Sequence, residues 1–181
     1  MNSVVVHLAL ALFGTVGSCI LIWRLADPDP KHLRAALGPQ ELLAAERRVQ
    51  WAESMLAALA GAASMHRAPS LGMANVGAHY IPLRHRVCVS HAFLARLSDA
   101  ELQLILAHEV GHAARRWKTF FRAGGISEEV LADRLALRIA SATPEQWLHT
   151  VLASIAAEPS LAMNLELERR ALALGVVYSP L

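Results

Sequence analysis

The chain has 181 residues and a formal net charge of +2, and only 18% of its residues are charged. This length fits one domain with short additions. The balanced charge, without any block of one sign, excludes an electrostatic argument for nucleic-acid binding. The two cysteines, Cys19 and Cys88, lie in an apolar run and in a predicted strand, so no disulfide framework is expected.

An apolar run, VVVHLALALFGTVGSCILIW, occupies residues 4–23 and contains no Asp, Glu, Lys or Arg. As a helix, about twenty such residues span roughly 30 Å, which is the thickness of a bilayer core. No basic residue precedes the run, as one would in a cleaved signal peptide. We therefore expect residues 1–25 to form a single-pass anchor that contacts the lipid bilayer. Arg24, Lys31 and Arg34 follow the run, which favours an outside N-terminus and a cytoplasmic remainder of the chain.

Residues 26–38 are predicted to be a linker, with the rigid segment DPDP at its start, and residues 39–181 to be the main domain. Pro39 suits the first position of a helix. A stripe of apolar residues at helical spacing predicts a long first helix in this domain. The stripe consists of Leu42, Leu43, Val49, Leu56 and Leu59.

Two short strands are predicted over residues 69–90. Gly72, Gly77 and Pro82 interrupt this region, and RHRVCVS at residues 84–90 alternates polar and apolar side chains. After it, capping residues and chain breaks indicate where the C-terminal helices begin. In chain order these are the capping box of Ser98 and Glu101, the break at Gly124 and Gly125, the cap Ser127, the pair Thr143 and Gln146, and Pro159 before a final helix.

The motif HEVGH, residues 108–112, lies on the helix that begins at Ser98. His108 and His112 are four residues apart and share one face of the helix, so both imidazoles can bind one metal ion. Glu109 lies about 100° around the helix, where it can act as a general base toward a metal-bound water. Gly111 leaves room for another element to approach closely, or is simply a tolerated helix glycine.

Catalytic zinc takes three protein ligands and keeps one position open for water, so a third ligand must come from elsewhere. Glu129 and Asp133, four residues apart on the next predicted helix, are similar to the pair in gluzincin peptidases. There the Glu binds zinc, and the Asp holds a ligand histidine through its second ring nitrogen. Glu128 competes for the ligand role, but only Glu129 has an acid four residues later.

Three phrases, VCVSHAFL, LSDAELQLILAHEVGH and EVLADRLAL, resemble the core of the HtpX and CAAX-prenyl-endopeptidase group of zinc peptidases over about residues 75–140. The resemblance implies that His108, His112 and Glu129 bind one Zn²⁺ per chain. It also implies that Glu109 is the base and that Asp133 orients a ligand histidine. The expected fold is α+β and mainly helical. It consists of a transmembrane helix followed by a small zincin-like domain with a short β-sheet and the HEXXH helix.

The expected activity is the hydrolysis of peptide bonds in a protein or peptide by a zinc-activated water, with Glu109 as general base. One alternative is a zinc-binding but inactive regulatory or assembly protein at the membrane, although a structural zinc site does not need Glu109. Another is a metal-free, membrane-anchored interaction protein, which a metal assay separates. The residues that could stabilise the oxyanion are not distinguished by the sequence: His85, His91, His149, Arg169, Arg170 and Tyr178.

An extended substrate binds well to the free edge of a strand, through backbone hydrogen bonds that suit many sequences. The strand RHRVCVS lies just before the HEXXH helix and is the candidate for this edge. The alternation pattern fits an ordinary buried strand equally well. In that case the edge is expected from residues 75–80 instead.

Overall fold

The computed structural model describes residues 37–116, 125–159, 161 and 167–178. The expected anchor at residues 1–25, and the linker up to residue 36, lie outside the described residues. Across the described ranges, no helix is both long and apolar enough to cross a bilayer. This part of the chain is a mainly helical α+β structure with one small sheet, as the sequence predicts.

Six helices and three strands make up the described part of the chain. The helices are α1 (Pro39–Ala62), α2 (His91–Arg96), α3 (Asp99–Ala114), α4 (Ile126–Ile139), α5 (Pro144–Ala157) and α6 (Leu167–Leu174). The strands are β1 (Ser70–Ala74), β2 (Ala78–Ile81) and β3 (Arg86–Ser90).

The sheet has the order β1-β3-β2, with β1 parallel and β2 antiparallel to β3. Gly72 lies opposite Cys88 in one pair of strands, and Tyr80 lies opposite Val87 in the other. Residues 69–90 therefore contain three strands rather than two. The prediction that RHRVCVS forms a substrate-binding edge is wrong, because β3 is the central strand and both its edges are paired. Within the sheet, β2 is an edge strand.

The capping box predicted before the HEXXH helix is confirmed. Ser98 Oγ accepts a hydrogen bond from the Glu101 backbone N–H at 3.3 Å, and Glu101 Oε2 accepts one from the Ser98 N–H at 2.7 Å. Thr143 and Gln146 make the same reciprocal pair at the start of α5. The predicted cap Ser127 is wrong, because α4 begins at Ile126, one residue before it. These caps determine where α3 and α5 begin.

Helix α3 is the central element of the core and packs against α1, α4, α5 and β2. The α1 helix buries Leu56 and Leu59 along the face predicted from their spacing. Arg48 of α1 donates hydrogen bonds to the Leu94 and Leu97 carbonyls at the end of α2, and pairs with Asp99 at 2.6 Å. The short connection from α2 to α3 is thereby held against α1, which fixes the start of α3.

Candidate metal centre

The two histidines of HEVGH face the same point from adjacent turns of α3. The Nε2 atoms of His108 and His112 are 3.1 Å apart, and their rings meet edge to face at 86°. His112 is buried and His108 is partly buried. A helical spacing of four residues brings them together, as the sequence predicts.

Glu129 reaches the same point from the first turn of α4. Its Oε2 lies 3.3 Å from His108 Nε2, and its Oε1 lies 3.4 Å from His112 Nε2. Potential ligand atoms of these three residues all lie within 4.8 Å of one another, which is compact enough to hold a metal ion. Tetrahedral zinc with bonds of about 2.0–2.2 Å spaces neighbouring ligand atoms roughly 3.3–3.5 Å apart. The observed spacing therefore fits a zinc ion.

The tautomer of His108 also suits a metal ligand. Its Nδ1 lies 2.8 Å from Asp133 Oδ1. A carboxylate can only accept, so Nδ1 carries the proton, and the neutral ring presents a lone pair on Nε2. Hydrogen bonds of this kind are how proteins orient metal-binding histidines.

The site favours a positive charge. Burial alone would lower the pKa of His108, but hydrogen bonds to Asp133 and Glu129 outweigh burial and raise it to about 10. Burial alone would raise the pKa of Glu129, but hydrogen bonds from His108 and His112 hold it well below its usual range. Two carboxylates beside two imidazoles thus bind a cation, either a proton or a metal ion, and the two compete.

Asp133 connects the metal group to α5 and α6. It is fully buried, and its Oδ1 accepts hydrogen bonds from His108 Nδ1 and from Trp147 Nε1, each at 2.8 Å. The Arg170 guanidinium donates to both carboxylate oxygens, at 2.6 and 2.8 Å, and lies 5.3 Å from the centre of the Trp147 ring. Burial would raise the pKa of Asp133, but the bonds from His108 and Arg170 lower it. Asp133 therefore stays ionised and holds His108 in place.

Arg170 also lies close to the metal group, with Nη1 3.4 Å from Glu129 Oε2. The sequence left Arg170 as one of six undistinguished candidates and did not single out Trp147 at all. A helical tryptophan has no local feature that separates an indole bound to a carboxylate from ordinary core packing. Only the packing of α5 and α6 on α4 brings these two side chains to Asp133.

Glu128, the competing carboxylate, faces a different partner. It is 2% exposed and accepts two hydrogen bonds from the Arg115 guanidinium, at 3.0 and 3.1 Å. Among the described residues, the group of potential metal ligands contains Glu129 and not Glu128. A bidentate pair with arginine occupies the carboxylate oxygens that a metal ion would need.

Glu109 is 5% exposed and lines a cavity of about 370 Å³ together with the three residues of the metal group. Of the six oxyanion candidates, only Arg170 lines this cavity. His85 lies between Tyr80 Oη at 2.7 Å and the Arg67 carbonyl at 3.1 Å, in a turn away from the cavity. His79, on the edge strand β2, does line the cavity and was missed, because nothing local marks an edge strand.

Gly111 lies where α3 meets α4. A Cβ at this position would lie 2.9 Å from Ala132 Cα and 3.0 Å from the Ala132 carbonyl oxygen, which is closer than side chains pack. Of the two interpretations of Gly111, the structure confirms the close approach. Ala132 stands between Glu129 and Asp133 on α4, so this contact determines how far both carboxylates lie from the histidines.

We expect Gly111→Ala to weaken zinc binding and to destabilise the fold, although alanine is the better helix former. The added methyl must push α4 away from α3. Such overpacking costs about 1–3 kcal/mol, more than the gain of about 1 kcal/mol in helix propensity. Urea unfolding and zinc competition with a chromophoric chelator measure the two effects.

Gly61→Ala, near the end of α1, is the matched control because nothing lies within 4 Å of its added Cβ. It should leave zinc affinity unchanged and stabilise by up to about 1 kcal/mol. If the two variants behave alike, the close packing at Gly111 does not position the site.

Comparison with known families gives one match. The model of Peptidase family M48 matches residues 46–143, which is more than half of the chain. The matched region contains the whole metal group and Asp133, and it ends before α5, so Trp147 and Arg170 lie outside it. No curated protein and no solved structure matches the chain.

Proposed function

The chain belongs to peptidase family M48, whose members are zinc metallopeptidases, and on this premise we propose that it is a membrane-anchored zinc endopeptidase of the gluzincin type. Residues 39–181 would be its catalytic domain. The observation that carries the proposal is the convergence of His108, His112 and Glu129 on one point of a cavity that Glu109 also lines. An open cavity distinguishes a catalytic zinc site from a closed structural one.

In this proposal His108, His112 and Glu129 hold one zinc ion per chain. Zinc bound there supplies Lewis acidity, which polarises the scissile carbonyl and brings the pKa of a water toward neutrality. Glu109 takes a proton from the attacking water and returns it to the leaving amine. Its buried position inside the cavity keeps bulk solvent from competing for that proton. Asp133 holds His108 in the tautomer that binds metal through Nε2.

The test is peptide hydrolysis by the full-length chain, purified in detergent, before and after removal of metal by a chelator. We expect about one zinc per chain, loss of hydrolysis on chelation, and recovery when zinc is returned. Zinc binding without any hydrolysis would leave the inactive regulatory or assembly protein as the function. A chain that binds no zinc would contradict both.

The edge strand β2 is the proposed binding site for the substrate backbone, which is the alternative that the sequence left to residues 75–80. Gly77, Ala78, His79 and Tyr80 all line the cavity. The Gly77 carbonyl accepts a hydrogen bond from the Ser90 N–H at 2.8 Å, so it faces β3. Because antiparallel pairs alternate, the N–H groups of Ala78 and Tyr80 face the free edge and can bind an extended peptide.

Ala78→Pro should lower kcat/KM for peptides by about tenfold, since one backbone hydrogen bond is worth roughly 0.5–1.5 kcal/mol. The substitution removes an N–H that faces away from β3, and edge strands tolerate proline at such positions. Zinc content and the unfolding midpoint serve as the check that the fold is intact. Unchanged cleavage by a folded, zinc-loaded variant would mean that the substrate does not bind along β2.

Membrane anchoring through residues 1–25, and the closer likeness to the HtpX and CAAX-prenyl-endopeptidase group, are further parts of the proposal. The uncharged run at residues 4–23 supports the anchor. Arg24, Lys31 and Arg34 support a cytoplasmic catalytic domain. The full chain should stay with membranes after an alkaline carbonate wash, and release by that wash would remove the anchor from the proposal.

A further inference from the structure

The cavity beside the metal group has two chemically different ends. Among the described residues that line it, every Asp, Glu and Arg belongs to the end with the metal group. The other end is formed by six side chains, which we call the apolar subsite: Phe93, Leu104, Ile105, Val151, Ile155 and Leu161. We propose that this subsite binds a large apolar side chain of the substrate, next to the scissile bond. The inference rests on the proposed peptidase function.

The apolar subsite adjoins the reacting groups through α3. Leu104 and Ile105 precede His108 and Glu109 by one turn, so they lie on the same face of the helix, about 6 Å along its axis. A side chain bound against them belongs to a substrate residue that flanks the point of attack. Leu104 is buried and Ile105 is partly exposed to the cavity, which makes them floor and wall respectively.

Helix α5 forms the opposite wall. Trp147 contacts Asp133 at the metal end, and Val151 and Ile155 follow on successive turns of the same face. The eight residues from Trp147 to Ile155 rise about 12 Å, so the apolar surface extends well past the metal group. Depth of this order suits a long side chain rather than alanine or glycine.

The polar residues of this wall do not make it hydrophilic. Ser154 lines the cavity but donates its hydroxyl to the Thr150 carbonyl of its own helix at 2.8 Å. Both residues are buried. A charged substrate side chain would lose its hydration here without gaining an ionic partner, whereas an apolar one would only leave water.

The far end of the subsite is closed by the segment after α5. The Glu158 carboxylate accepts a hydrogen bond from the Gly77 N–H, and the Leu161 side chain lies 3.4 Å from where a Gly77 Cβ would be. This places the closing wall at the start of β2. An extended peptide along β2 projects alternate side chains to one side, so one of them enters the subsite while its neighbours do not.

The first experiment maps the bonds that the zinc-loaded full chain cleaves in a mixed peptide library, by mass spectrometry. We expect one position adjacent to the scissile bond to be dominated by Leu, Ile, Met or Phe, at least about tenfold over Ala. Asp and Lys should be nearly absent there. Cleavage without such a preference would overturn the inference while leaving the peptidase function intact. No cleavage beyond a Glu109→Gln sample would overturn both.

The second experiment fills the subsite. Val151→Trp should lower kcat/KM for a Leu-containing peptide at least about tenfold and shift the preferred residue toward Ala or Gly. Leu152→Trp is the matched control, because Leu152 is the next residue of α5, is 43% exposed and is not among the cavity-lining residues. Zinc content should be unchanged in both. Identical cleavage profiles for the two variants would show that Val151 does not shape a substrate site.

Discussion

The Glu109→Gln variant is expected to hydrolyse peptides about 10²- to 10⁴-fold more slowly than the parent chain, with zinc content and stability unchanged. A side-chain amide matches the carboxylate in shape but cannot accept the proton of the attacking water. Glu109 lies in the cavity wall and is not part of the group of potential metal ligands, so its loss should leave metal binding intact. The measurement is kcat/KM at saturating zinc, together with metal analysis of the same sample.

Glu101→Gln is the matched control, because it makes the same substitution two turns earlier on α3. Glu101 closes the capping box with Ser98, and glutamine can fill that role as well. The control should therefore keep full activity. Comparable activity in the Glu109→Gln and Glu101→Gln variants would remove Glu109 from the mechanism.

Replacing any one of His108, His112 and Glu129 by alanine is expected to reduce zinc from about one per chain to nearly none after dialysis. Each supplies one ligand atom to a group of three, and two remaining ligands hold zinc far more weakly. Hydrolysis should disappear together with the metal. Metal analysis after dialysis against buffer without zinc measures the loss directly.

Glu128→Gln is the control for Glu129. Alanine at position 128 would leave Arg115 without its carboxylate partner and open a void in a buried site, so it would confuse folding with metal binding. Glutamine keeps the shape and one acceptor for Arg115, and it should retain zinc. A zinc-depleted Glu128→Gln chain beside a zinc-loaded Glu129→Ala chain would overturn the ligand assignment.

Local spacing determined the components of the site. Residues four apart on a helix share a face, which brings His108 to His112 and aligns Glu129 with Asp133. The hydrogen bond from His108 to Asp133, and the position of Glu129 between the two histidines, follow the sequence expectation in detail. Their roles in metal binding and catalysis stay predictions until the substitutions above are made.

Strand order could not be read from the same kind of pattern. Alternation of polar and apolar residues reports which side chains face the core, but not whether a neighbouring strand is present on each edge. Residues 84–90 were therefore predicted as an edge, whereas β3 is paired on both sides. The free edge belongs to β2, because β1 and β2 both pair with β3.

The sequence by itself determined the helix that carries HEVGH, its capping box and the pair of acids on the following helix, because each of these depends on residues a few positions apart. Only the tertiary structure decided the surroundings of Asp133, the close contact at Gly111 and the apolar subsite. These depend on which faces of α3, α4, α5 and α6 pack together. Such contacts join residues up to 37 positions apart, as between Asp133 and Arg170, and no local propensity or spacing encodes them.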